Sequence, residues 1–212
     1  MEIKLLTLLP VLLTFTSTAF ADLDEDILSL QHAWAKASYD TPADAQKQAF
    51  KELIAGGRKL VERYPERVEP KVWLAISLSS DAGVNGGLSA LGKVREARRL
   101  LEAAEKVDPK VLNGSIYTSL GSLYYQVPGW PIGFGDDDKA EMYLKKALAT
   151  NPEGIDPNYF YGDYLLKSGN YAQAITYLNR ARQAPERPAR PLADAGRRTQ
   201  IDKKLNQARS KL

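Results

Sequence analysis

The stretch Ser115–Asp163, SIYTSLGSLYYQVPGWPIGFGDDDKAEMYLKKALATNPEGIDPNYFYGD, decides the fold. Its first half carries Tyr117, Leu120, Gly121 and Tyr124, and its second half Ala140, Leu144 and Ala147. Residues three or four apart make one apolar stripe on each of two helices. Gly121 and Ala140 are small where two antiparallel helices bring their backbones close. Leu120, Tyr124 and Leu144 fill the seam, and Pro152 stands where the second helix cannot continue. Only the insert Val127–Gly135, VPGWPIGFG, interrupts the pair.

Working outward, the pattern recurs on both sides. Upstream, Trp73, Ile76 and the small Ser77 face a partner helix that carries Ala97, Leu101, Ala104 and then Pro109. Downstream, Tyr161, Gly162 and Leu165 precede a turn at Gly169, followed by Ala174, Leu178, Ala181 and Pro185. The helix-ending prolines 65, 109, 152 and 185 lie 44, 43 and 33 residues apart. A repeat of about 34 residues with two inserted loops accounts for these intervals. The first insert is DAGVNGGLSALG, residues 81–92, and the second is the Trp130 loop.

The flanks differ from the repeats. Ile27, Leu30 and Trp34 mark one face of a first helix, with Asp22, Asp24, Glu25 and Asp26 at its start, where negative charge suits the helix dipole. Thr41-Pro42 reads as an N-cap and first helical position, opening a helix with Phe50, Leu53, Gly57 and Leu60 that stops at Pro65. At the other end, Pro185, Pro188 and Pro191 alternate with Arg187 and Arg190, which favours an extended crossing. Ile201, Leu205, Ala208 and Leu212 then mark a last helix whose opposite face is Lys and Arg. The expected fold class is all-α: a solenoid of helix hairpins with about three repeats, at 70–109, 115–152 and 157–185. An N-terminal helical pair, 22–65, and a C-terminal crossing and capping helix, 186–212, close its ends. Residues 22–212 form one domain.

Lys4, the apolar run LLTLLPVLLTFTSTAF and Ala19-Phe20-Ala21 have the pattern of a signal peptide over 1–21, cleaved after Ala21. The expected location is the periplasm, and no later stretch is apolar enough to span a membrane. Cysteine is absent, which excludes disulfides, thiolate metal sites, a cysteine nucleophile and a lipidated N-terminal cysteine. The net charge of +3 is too small to imply nucleic acid. The charge is uneven, however: residues 180–212 carry ten basic and three acidic side chains, and residues 22–69 carry seven and ten. Such polarity suits a solvated basic terminal helix first, and partner steering or head-to-tail self-association second.

No catalytic constellation is present. His32 is the only histidine, no Gly-rich run carries the G-K-[ST] of a phosphate loop, and Asp136–Asp138 are adjacent rather than spaced as Ca²⁺ ligands. Those aspartates are placed to cap the next helix. The reading is a non-enzymatic protein without cofactor or metal. A helix that turns its seam residues to its partner turns another set to the concave side. That set is Leu74, Leu78 and Asp81, then Thr118, Ser122 and Tyr125, then Tyr159, Asp163 and Leu166. The Trp130 loop is open to two placements: a lip that offers Trp130 and Phe134 to a ligand, or a plug between repeats.

The repeats from Lys71 to Gln183 resemble the tetratricopeptide repeat superfamily, matching its small and apolar positions in phase three times. More narrowly, LYYQVPGWPIGFGD, GIDPNYFYGDYL and APERPARPLADAGRR are similar to a group of small exported bacterial tetratricopeptide proteins of unassigned activity. The chain is also similar to the T component that accompanies tripartite (TRAP) transporters. The resemblance implies a periplasmic accessory, oligomeric in that family, in contact with a substrate-binding protein. Two functions are therefore expected: an adaptor for an envelope protein or peptide, or an accessory holding a small apolar or anionic ligand. The expected binding residues are Leu74, Leu78, Thr118, Ser122, Tyr125, Trp130, Phe134, Tyr159 and Asp163.

Overall fold

The computed structural model describes residues 16–212, with side chains from Asp22 onward except that of Leu88. Residues 1–15, most of the expected signal segment, lie outside the described residues. The helices are α1 (Thr16–Tyr39), α2 (Ala43–Arg63), α3 (Glu69–Asn85), α4 (Leu88–Val107), α5 (Val111–Gln126), α6 (Asp137–Thr150), α7 (Ile155–Lys167), α8 (Tyr171–Gln183) and α9 (Pro191–Arg209). No strand occurs among the described residues, and successive helices pack as antiparallel pairs in a helical-repeat solenoid. Among the described residues, no helix is long and apolar enough to cross a membrane.

The small residues lie where close helix crossing requires them. Gly121 is buried, and a Cβ there would sit 2.6 Å from Leu144 Cγ. Gly162 repeats the arrangement against Leu178 Cγ at 2.8 Å. Ala97, Leu101, Ala104, Ala140, Leu144, Ala147, Ala174, Leu178 and Ala181 are all fully buried. Helices α2, α4, α6 and α8 each end two residues before a proline, at Pro65, Pro109, Pro152 and Pro185. Asp136 caps α6 as expected, its carboxylate accepting from the Lys139 backbone N–H at 3.0 Å. That hydrogen bond holds its carboxyl below the usual range.

Three expectations need correction. The first insert is not a loop: α3 runs on to Asn85 and α4 begins at Leu88, leaving Gly86-Gly87 as the turn. Both glycines have positive φ, 57° and 76°, which glycine adopts freely. The extension is tied by ion pairing of Lys93 with the buried Asp81, which also accepts from Asn85 Nδ2. Second, Thr41 does not cap α2; its hydroxyl donates to the Lys36 carbonyl at 2.9 Å, and Pro42 occupies the cap position. Third, the buried face of α9 is not purely apolar, and Leu212, expected on it, lies beyond the helix and is exposed. Ile201, Leu205 and Ala208 are buried as expected, but Asp194 and Arg197 are buried too, 5% and 7% exposed.

Those two residues accompany an unexpected closure. Helix α9 packs on α7 and α8 and also reaches back to α1. A Cβ at Gly196 would fall 2.2 Å from the Tyr39 ring, and Ala193 is buried in the cluster that contains Trp34, Phe50 and Trp73. The two ends of the solenoid are thus joined across its concave side.

Candidate functional site

Closure turns the concave groove into a chamber of about 890 Å³. Helix α1 contributes Trp34, Ser38 and Tyr39, and α3 contributes Trp73, Ile76 and Ser80. The two tryptophans meet edge-on with centroids 6.0 Å apart, and Trp34 Nε1 donates to Ser80 Oγ at 2.8 Å. From α5 come Ser115, Thr118, Ser119, Ser122 and Gln126, a polar strip set by the spacing of its inward face. Helix α7 adds Asp156 and Phe160. The remaining wall is the strap Pro185–Arg190, the proline-arginine crossing of the sequence, fixed where His32 Nε2 donates to the Ala189 carbonyl at 2.6 Å.

An arginine–carboxylate cluster anchors the strap. Asp156 accepts from Arg187 Nη1 at 2.7 Å and from Arg197 Nε at 2.9 Å. Asp194 accepts from the Arg187 backbone N–H and from Arg187 Nε, both at 2.7 Å. Arg197 also donates to Gln200 Oε1 at 2.7 Å and lies 4.3 Å over the Tyr159 ring. Burial works to raise the Asp156 pKa, but the Arg197 and Arg187 charges outweigh it and hold the carboxyl well below the ordinary range. Arg197, despite its burial, is held more firmly protonated by Tyr39 and Asp156.

The nine expected binding residues are divided by the structure. Thr118 and Ser122 line the chamber. Leu74 and Leu78 do not; each is 2% exposed in the core, Leu74 against Gly57 of α2. The inward set on α3 is therefore offset from that on α5, to Trp73, Ile76 and Ser80. Tyr125 is buried and donates to Asp163 Oδ2 at 2.7 Å, while Lys204 of α9 pairs with Asp163 Oδ1 at 2.6 Å. Burial pushes the Tyr125 phenol well up, and Asp163 adds to the effect. Tyr159 is buried beneath Arg197. These three tie α5, α7 and α9 together and do not line the chamber. Sequence reasoning missed Trp34, Trp73, Arg187 and Arg190. The alternation of proline with arginine was a signal for the last two, though not for where they point.

The Trp130 loop takes both of its possible placements, residue by residue. Phe134 turns in, edge-on to Tyr124 at 5.8 Å and 4.4 Å beneath the Arg98 guanidinium. Trp130 and Ile132 turn out, 90% and 60% exposed, and neither lines the chamber. The backbone is fixed by Gly133 N–H to the Gly129 carbonyl at 3.0 Å and Gly135 N–H to the Pro128 carbonyl at 2.9 Å. Arg95 of α4 reaches the Ile132 carbonyl at 3.3 Å, so the loop rests on the preceding repeat. Phe134→Ala is expected to cost about 1–2 kcal/mol of stability, the range for a half-buried ring. Trp130→Ala is expected to stay within about 0.5 kcal/mol. Urea unfolding of both variants checks the difference.

The tetratricopeptide repeat family model matches residues 132–190, from the Trp130 loop through α6, α7 and α8 to the end of the strap. No curated protein matches the chain. The fold and the matched segment define the class: an all-α, tetratricopeptide-like helical-repeat protein, an architecture that suggests an interaction module.

Proposed function

We propose that this chain is a non-enzymatic adaptor of the bacterial periplasm, exported by residues 1–21, which holds another envelope component against its concave face. The chamber is the observation that most supports this reading. Hydroxyl and aromatic side chains from four inward helices converge on a volume within the range typical of ligand sites. The acidic and basic groups Asp156, Asp194, Arg187 and Arg197 are paired with one another rather than left free for proton transfer. Native mass spectrometry of the protein taken from the envelope tests the proposal. A stoichiometric protein partner is the expected result, and recovery of the bare chain would contradict it.

A second reading is a small-ligand accessory of a transport system, as the T-component resemblance implies. Its particular support is the strap and α9, which narrow an open groove into a chamber. A retained small molecule in the same spectra would favour it over the adaptor.

A further inference from the structure

Three positively charged side chains, Arg187, Arg190 and Arg197, stand at the strap end of the chamber. Two buried or half-buried carboxylates, Asp156 and Asp194, answer Arg187 and Arg197. Arg190 feels Asp156 and Asp194 only at longer range: among the described residues no carboxylate lies within ion-pair distance of it, and its buried Nε has no hydrogen-bond acceptor. Glu153 and Glu186 also border the chamber but are solvent-exposed and not paired with it. The Arg190 guanidinium lies instead over the Trp73 ring, 5.0 Å from its centroid. Two further polar atoms of the same wall lack partners, Trp73 Nε1, a donor only, and Ser38 Oγ.

This wall is short of acceptors, and one of its guanidinium groups has no carboxylate in contact. A cation left without an anion in a part-buried site is costly, and the cation–π contact offsets only a fraction of that cost. Burial and repulsion from Arg187 push the Arg190 pKa down, outweighing the more distant attraction of Asp156 and Asp194. Asp156 and Asp194 are engaged by Arg187 and Arg197, so Arg190 is the one guanidinium of the cluster without a carboxylate in contact, a place for a single anionic group. The exposed edges of Trp34 and Trp73, with Ile76, offer an apolar bed next to it, and the α5 hydroxyls offer polar contacts farther along.

We infer that the chamber takes a small organic monoanion, its carboxylate seated on Arg190 and its apolar body lying against Trp73 and Trp34. This rests on the reading of the chamber as a ligand site and names the ligand's chemistry. The acidic headgroup completes the arginine cluster, while the strap and α9 limit the length of the body.

Isothermal titration of the intact protein with phenylbutyrate and phenylhexanoate, and with the primary amide of each, tests this. The acids are expected to bind at least about tenfold more tightly than their amides, the usual scale for a charged hydrogen bond. Arg190→Met is expected to erase that preference with little change in melting temperature, since Arg190 makes no ion pair at contact distance. Arg190→Lys is expected to restore part of it. Equal affinity for acid and amide, or a preference that survives Arg190→Met, overturns the headgroup assignment and leaves the chamber as a ligand site. Heat from neither acids nor amides overturns the ligand-site reading and this inference with it. Binding of a short peptide through its C-terminal carboxylate, with no response to the free acids, overturns the small-molecule class.

Discussion

Asp156→Asn is expected to lower the unfolding free energy by about 2–3 kcal/mol, discounted from the roughly 3–5 kcal/mol for breaking a fully buried ion pair. The discount reflects the accessibility of its side chain, 27% exposed. The amide would keep the shape of the carboxylate but not its charge, so Arg187 would keep only Asp194 and Arg197 would have no carboxylate in contact. The loss should begin at the strap and α9, because Asp156 is the residue of α7 that both arginines grip. Hydrogen exchange should show α9 opening in the variant while α5 and α6 stay protected. Acid should produce the same effect in the wild type. The folded pKa of Asp156 is depressed, so its contribution is complete above the ordinary carboxylate value near 4 and is lost as pH falls through the folded value. The stability gap between wild type and variant should therefore narrow as the pH drops below about 4.

Gly121→Val is expected to be the most damaging single change in the repeats, at about 3 kcal/mol. Two effects compete. Removing a mid-helix glycine favours the helix by roughly 0.5–1 kcal/mol. Against this, a Cβ would lie 2.6 Å from Leu144 Cγ and 3.1 Å from the Leu144 backbone nitrogen. A side chain can rotate away, but a backbone atom cannot, so α5 and α6 must separate and the fully buried Leu144 and Ala140 lose their fit. The clash wins. Thermal unfolding should shift down by about 10 °C, from the scaling for domains of this size. An unchanged or higher melting temperature would mean that the two helices do not meet at Gly121.

The part of the fold legible in the sequence is the part fixed by local steric demand. Small residues at Gly121, Ala140 and Gly162, and prolines two positions beyond four helix ends, follow from what one helix hairpin needs. The lengthened α3 was hidden because Gly83, Gly86 and Gly87 resemble a loop composition. In fact Gly83 sits within the helix, with nothing within 4 Å of where its Cβ would be, and only the last two turn the chain. The site was less legible for a related reason. Thr118 and Ser122 reach the chamber because α5 keeps the repeat register, whereas Leu74 and Leu78 lie in the core because α3 packs Leu74 onto Gly57 of α2. The pairing of Arg187 with Asp156 spans 31 residues, and that of Arg197 spans 41. Periodicity carries no information over such distances.

The ends of the solenoid meet, with the strap and α9 brought against α1 to narrow the groove to a half-open chamber, and every functional reading depends on that closure. Because the chain contains no cysteine, a pair introduced by His32→Cys and Ala189→Cys reports on it without interference. At low protein concentration a short bismaleimide should join the two positions within one chain, rapidly and in high yield, and the cross-linked protein should retain its helical content. Failure to form an intrachain link while both thiols remain reactive would contradict the closed chamber.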